Sequence, residues 1–320
     1  MRRKSAFLLL TAFVLSLDNP FFVQNGVREQ LIARRLRSAE DSYIALQDKL
    51  LEHGIFREPI TVDGQLVKLS FADSSLATAT EVADVLLSSE EKSIEAGKLS
   101  EAETRLVQMH REHFEAFAKA IQRILARNPW SVIVRDAAGK IAGFVFSALL
   151  LTNTKDDLPA TSVEMSKASE RGAGAPVNTY VDFWFTGNSR GFAEAAILAS
   201  FQTARALKEL GEPKSTIKYV YAYSNPRGLP NYPQLSAEEY AEKVKEAYAE
   251  WLKNKASKGP FRDPAIFFHL QHGATLVRII PNAFPVITVA EPSGVPDADL
   301  TAIGRGYAFI MQYPLSVWGK

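Results

Sequence analysis

The chain has 320 residues, 47% of them hydrophobic and 23% charged, which is enough to bury a proper core in one large or two small domains. Its 37 basic and 36 acidic residues nearly cancel, and no basic stripe is interleaved with aromatics, so nucleic acid is not expected as a partner. With no cysteine, a disulfide, a thiol nucleophile and a thiolate metal site are all excluded, although this does not identify the compartment.

The first segment, 1–20, reads as a signal-like or anchoring stretch. Arg2, Arg3 and Lys4 precede the apolar run Ala6–Leu17. That run is shorter than the ~20 residues a membrane span needs. Neither Val14-Leu15-Ser16 nor Ser16-Leu17-Asp18 makes a good small-x-small cleavage site. The alternative is a hydrophobic helix packed on the rest of the protein. An N-terminal helical extension is expected over 27–57, helical from Val27 to His53 and stopped by Gly54.

Leu66–Phe71 alternates as a half-buried strand. Asp73 or Ser74 is placed to cap a helix running to about Leu87. A second helix is expected over Arg105–Ala126, with Phe114, Phe117, Ile121 and Leu125 at helical spacing. Trp130–Arg135 and Lys140–Leu150 read as a hairpin around Asp136–Gly139. The stretch 152–176 has no periodicity and reads as a lid or a disordered insert. A strand, Thr179–Thr186, then leads through a glycine-containing turn into a long alanine-rich helix ending at Leu210. Ile217–Tyr223 is another strand, and 225–233 is irregular. Ser236 and Glu239 form a capping box for a helix to about Lys255, with Tyr240, Val244, Tyr248 and Trp251 on one side. A short helix, Asp263–His272, and two strands, Thr275–Ile280 and Gly306–Tyr313, complete the order.

The strand–turn–helix at 181–210 is the most informative junction, because such a turn leaves the first helical N–H groups unpaired and able to seat a phosphate. The turn, Asn188-Ser189-Arg190-Gly191-Phe192-Ala193, resembles the acyl-CoA-binding signature of the GNAT acyltransferase superfamily, Gln/Arg-x-x-Gly-x-Gly/Ala. The last two anchors match and Asn188 departs. A second motif lies downstream. Arg262 to Ala274 resembles the family's Asn-x-x-Ala-x-x-x-Tyr-x-x-x-Gly-Phe, with Ala265 and Gly273 matching, His269 at the tyrosine position, and Arg262 and Ala274 departing.

This resemblance covers about 66–313 and implies an α+β fold: a mixed, mostly antiparallel sheet of six to seven strands, flanked by helices and splayed at two central parallel strands. A GNAT-like acyltransferase domain would then occupy 58–320, with insertions at 152–176 and 227–262. It also implies acetyl-CoA or another acyl-CoA as donor, no metal, and a small-molecule or peptide amine as acceptor. Backbone groups of Phe183, Phe185 and Thr186 would hold the thioester and its arm. Asn188, Ser189, Arg190, Gly191, Phe192 and Ala193 would hold the pyrophosphate. His269 would protonate the departing thiolate, and Asp182 would be the base that deprotonates the amine.

Each assignment has a plainer alternative. Gly191 can be steric, Arg190 an exposed helix-start residue, His269 a packed core histidine and Asp182 a solvated strand residue. Strict alternation puts Asp182 and Trp184 on one face, with Phe183 and Phe185 on the other. His110 and His113 have metal-compatible spacing but no third ligand nearby. Glu291, Asp297 and Asp299 are more simply loop residues than an acceptor site. A non-catalytic binding or assembly protein on the same fold is the rival function. Use of acyl-CoA favours the cytoplasm, whereas a working signal in 1–20 would mean export, or membrane contact through that segment. Homo-oligomer formation is compatible with the sequence.

Overall fold

A computed structural model describes residues 44–57, 60–97, 101–160, 164–165, 168, 177–210, 215–255, 259–281 and 307–314. The signal-like stretch 1–20 and the acidic residues Glu291, Asp297 and Asp299 lie outside the described residues. Among the described residues, no helix is long and apolar enough to cross a membrane.

The strands in chain order are β1 (Ile60–Val62), β2 (Gln65–Phe71), β3 (Val132–Arg135), β4 (Ile141–Leu150), β5 (Val177–Gly187), β6 (Ser215–Ser224), β7 (Thr275–Ile280) and β8 (Ala308–Tyr313). They form one sheet in the order β1-β2-β3-β4-β5-β6-β8-β7. Every neighbouring pair is antiparallel except β5–β6, which is parallel.

The sheet is thus mixed and mostly antiparallel, but it has eight strands rather than six to seven. The additional strand is β1. It is three residues long and follows Pro59, so it has too little alternation to read. It is held by the tight turn Asp63-Gly64, where φ is 50° and 78°. Two successive left-handed residues are what a two-residue hairpin requires, and Asp-Gly supplies them.

The helices are α1 (44–52), α2 (Leu76–Glu95), α3 (Glu101–Glu112), α4 (Phe114–Arg127), α5 (Arg190–Leu210), α6 (Ala237–Lys253) and α7 (Pro264–Gln271). Ser75, not Asp73 or Ser74, caps α2, its hydroxyl accepting from Thr78 N at 3.1 Å. Asp73 instead braces the cap, accepting from Ser75 N and the Thr78 hydroxyl. The helix runs past Leu87 to Glu95, and its last turns are held by α3, Arg111 donating to Glu91 at 2.7 and 2.8 Å. The single helix expected over Arg105–Ala126 is two, broken at His113 (φ −108°, ψ 40°).

Helices α2 and α4 cover one face of the sheet, packing Val82, Leu86, Phe117 and Ile121 onto Ile133, Phe144 and Phe146. Helix α5 covers the other face through Ala195, Ala196 and Ala199 against Val132, Val134 and Val145. Small residues along that helix let it approach the strands closely. Helices α6 and α7 extend the same layer over β6 and β8, with Tyr240, Val244, Phe267 and Phe268 in one cluster with Ala222, Phe309 and Met311. The expected insertion at 227–262 thus contributes one face of α6 to the core. Asp263 anchors it, one oxygen accepting from Ala265 N and Ile266 N, the other from Gly228 N and the Tyr240 hydroxyl.

The insertion at 152–176 begins as a strap over the α2-side face of β6–β8. A 3-10 turn, Lys155–Asp157, is capped by Thr154. The Arg278 guanidinium donates to the carbonyls of Lys155, Asp156 and Leu158, and Leu158 packs with Tyr221, Tyr223 and Ile310.

Two features of β5 set up the site. Phe146 is opposite Trp184 and Ser147 is opposite Asp182, so Phe183 is an extra residue, a β-bulge. The pairing of β5 with β6 runs only as far as Asp182 opposite Ala222. Beyond that point β5 continues to Gly187 and β6 to Ser224 without partnering each other, and the sheet forks.

Candidate functional site

The fork, the turn that follows β5 and the start of α5 form one continuous feature. Gly143 and Gly187 face each other across β4–β5. An added Cβ on Gly143 would lie 2.7 Å from the Phe192 carbonyl oxygen, and one on Gly187 would lie 2.5 Å from Ala193 N. Only a pair of glycines lets the first turn of α5 rest directly on the two strands. Asn188 N then donates to Ala142 O at 2.8 Å, tying the turn to β4.

Around this turn the candidate side chains are engaged with the protein itself. Ser189 donates its hydroxyl to Asp63 Oδ2 at 2.5 Å. Arg190 is exposed and donates to Gln271 Oε1 at the end of α7. Next to it, Glu194 Oε1 meets His272 Nε2 at 2.7 Å. On the opposite face, the last turns of α2 reach the same place. Thr186 bonds Ser89, Lys92 Nζ donates to Asn188 O, and Glu90 pairs with Arg227 at 2.9 Å. Phe192 is buried against β4, and Gly191 lies under Val62, whose Cγ1 would be 2.7 Å from an added Cβ.

The bulge decides which side chains meet across the fork. Strict alternation failed here: Phe183 and Trp184 both pack on the α2 side, with Phe146. Asp182 and Phe185 both lie on the α5 side. One extra residue reverses the facing of everything after it. Phe185 contacts Phe268 (5.1 Å between centroids) and His269 (5.5 Å).

His269 is 0% exposed. Its Nδ1 shares a 2.5 Å hydrogen bond with the Tyr313 hydroxyl, while Nε2 is buried with no partner among the described residues. Burial, with a smaller contribution from His272, pushes its pKa down to about 3. The Ser224 hydroxyl, at the end of β6 where the strands have parted, is likewise buried and without a partner among the described residues.

Asp182 is also enclosed. It is 1% exposed, and its two oxygens accept from Ser147 Oγ and Ser200 Oγ, each at 2.6 Å. Burial raises its pKa to about 7, against the opposing effect of both serine hydrogen bonds. Tyr180 and Tyr313 are held protonated by burial and by this carboxyl group. Asp182 and His269 thus flank one buried polar layer between β5, α5, β8 and α7, on the inner side of the fork.

The structure therefore brings Phe185 and His269 together and gathers Asn188 to Ala193 into one turn. It separates the enclosed pair, Asp182 and His269, from the exposed side chains of that turn. His110, at 3% exposed, stacks on Phe117 at 4.4 Å between centroids. Among the described residues no group of three His, Asp or Glu is placed to hold a metal ion.

Sequence reasoning missed Ser147, Ser200, Tyr313, Glu90, Arg227 and above all Asp63. Only Asp63 carried a local signal, the Asp-Gly pair that forms a hairpin tip. The others are ordinary strand, helix or loop residues until the chain folds.

No protein-family model and no curated protein sequence matches this chain. Among solved structures it is similar to the loading GNATL domain of CurA from Lyngbya majuscula, at 15% identity over 78% of this chain and 98% of that one, with a TM-score of 0.46. It is also similar to the GphF GNAT-like decarboxylase in complex with isobutyryl-CoA (17% identity, 62% and 85% covered, TM-score 0.41). A third is a GNAT-family acetyltransferase from Listeria monocytogenes 4b F2365 (11%, 80% and 99%, TM-score 0.35). These likenesses are of overall outline and do not bear on activity. One parallel pair within an otherwise antiparallel sheet, forked beyond a bulge and opening through a glycine turn into a long helix, gives this chain a GNAT-like fold.

Proposed function

We propose that the protein binds an acyl-CoA along the fork and transfers the acyl group, acetyl in the simplest case, to an amine by direct attack in a ternary complex. The observation that carries this is the parting of β5 from β6 after Asp182, directly beside a glycine-supported helix start. Main-chain groups of Phe183–Thr186 freed from the ladder on that side can bond an amide-bearing arm and a thioester carbonyl. The N–H groups from Ser189 to Phe192, with Asn188 and Arg190, would face the pyrophosphate, while Ala193 N–H is engaged by Ser189 O.

In the chemical step the amine nitrogen attacks the thioester carbon, the C–S bond breaks, the amine gives up a proton and the thiolate takes one. Asp182 is the better supported of the two side-chain candidates, because a pKa of about 7 suits a base at neutral pH. Its proton would have to pass through the Ser147 or Ser200 hydroxyl, which occupy both of its oxygens. His269, at about 3, is a poor cationic acid near neutrality. A thiolate needs little help in leaving, since thiols ionise near 8.5. For His269 we favour positioning Phe185 and Tyr313.

The enclosure of both groups also supports a second reading, a protein that binds an acyl-CoA without turning it over. Calorimetry with acetyl-CoA tests the shared part, and absence of binding at millimolar ligand would sink both readings. Arg190→Glu, at an exposed position, should weaken binding by roughly tenfold or more. Binding without thiol release on addition of varied amines, unchanged in Asp182→Asn, would favour the non-catalytic protein. A substitution at Gly191 is a poor test, because it would displace Val62 and the β1–β2 hairpin.

A further inference from the structure

We propose that the protein carries its own competitor for the ligand's phosphates: the Asp63 carboxylate, at the tip of the β1–β2 hairpin, occupies the head of α5 and must withdraw when a polyphosphate arrives. This rests on the acyl-CoA proposal above and concerns the regulation of that same site.

The geometry places the carboxylate over the turn. Asp63 Oδ2 accepts from the Ser189 hydroxyl at 2.5 Å. The two Asp63 oxygens would lie 3.1 and 3.3 Å from a Cβ on Gly191. A carboxylate at this position stands beside the same positive helix end that would attract a phosphate, so two anions there would repel each other as well as compete for the space.

The group is also placed to move without unravelling the core. Asp63 is exposed, and it belongs to a two-residue turn beside a three-residue edge strand. Within that hairpin, Ile60, Val62 and Val67 hold the strands on the α5 layer, and the turn that carries Asp63 lies outside it.

A second internal carboxylate stands on the other flank of the turn. Glu90 holds the Arg227 guanidinium at 2.9 Å, two residues before Lys92, whose Nζ donates to Asn188 O. Arg227, in the loop after β6, is thus engaged by the protein's own anion. Independently of these ionic contacts, Ser224 Oγ, at the end of β6 where the strands have parted, is buried without a partner among the described residues and marks the fork as a place where a ligand's polar arm would find a hydrogen-bonding group.

Asn adopts the left-handed φ of 50° at position 63 nearly as well as Asp, so Asp63→Asn removes the charge and keeps the turn. Calorimetry at fixed ionic strength, with inorganic pyrophosphate and with acetyl-CoA, should show the variant binding both probes roughly three- to tenfold more tightly than the wild type. Asp63→Gly, which also suits the turn, gives the same reading should the Asn variant fold poorly. Glu90→Gln should add a separate, smaller gain.

If the wild type binds acetyl-CoA and the Asp63 variants bind it no better, the competition is overturned while the acyl-CoA site stands. If no protein binds acetyl-CoA but Asp63→Asn gains affinity for pyrophosphate, the competition stands and the acyl-CoA reading falls. Unchanged or absent affinity for both probes in every variant overturns the proposal.

Discussion

The two halves of β5 share one strand and have opposite characters. From Thr179 to Asp182 it is paired on both edges, with β4 and with β6. The polar groups at its inner end are enclosed: Asp182 takes two serine hydroxyls, and Tyr180 donates to the Trp130 carbonyl. From Phe183 to Gly187 it keeps β4 alone, is only half-buried, and feeds a turn from which Ser189 and Arg190 reach outward to other elements. The bulge at Phe183 is the boundary. The inner half is built to hold charge-bearing groups still, and the outer half is built to present main chain. The two candidate catalytic side chains belong to the inner layer, whereas the candidate donor site belongs to the outer half.

The comparison breaks most visibly through pH. Asp182 binds its proton more tightly folded than unfolded, so its contribution to stability is full below about pH 4 and is lost as pH rises toward its folded value of about 7. The loss is on the order of 4 kcal/mol. His269 has the opposite sign. Its folded pKa of about 3 means that its contribution is full above about pH 6.5 and is lost as pH falls toward 3. The stability of wild type minus Asp182→Asn, from urea titrations between pH 4 and 8, should therefore fall with pH. The same difference for His269→Gln should rise. A flat difference for Asp182→Asn would show that the inner half is hydrated and not an enclosed layer.

A smaller effect is expected where the outer half meets α5. Gly187→Ala forces a methyl to within 2.5 Å of a backbone nitrogen that cannot move alone, and should cost about 3 kcal/mol in urea unfolding. Gly143→Ala, against the Phe192 carbonyl, should behave similarly. Little loss in either would mean that the helix start is not seated on the strands.

The smallest effect concerns the strap. Arg278→Ala removes three hydrogen bonds to the carbonyls of 155, 156 and 158, and should cost about 2 kcal/mol. It should also speed protease cleavage near residue 155. Unchanged proteolysis would show that Leu158 and Tyr223 hold the strap without it.

Much of this architecture could be read before folding was considered. The alternation of Leu66–Phe71, the turn at Asp136–Gly139, the capping box at Ser236 and Glu239 and the short helix from Asp263 each lie within a few residues of the sequence, and each is present. The junction Asn188–Ala193 was legible for the same reason, since a strand, a glycine turn and an alanine-rich helix are contiguous.

What failed was non-local. The bulge at Phe183 arises from pairing with β4, so alternation alone put Phe185 on the wrong face relative to Asp182. The break at His113 and the extension of α2 to Glu95 depend on packing between helices. Asp63 lies 126 residues from Ser189, and no spacing rule connects them.

By itself, then, the sequence determined the order of elements, most caps and turns, and where a helix start follows a strand, because those depend on backbone preference and on periodicity over a few residues. The tertiary structure alone decided that Asp182 and His269 are enclosed, that an eighth strand closes over the turn, and that an internal carboxylate sits at the head of α5. Burial, desolvation and contact between distant segments have no local code, and they set the chemistry of this site.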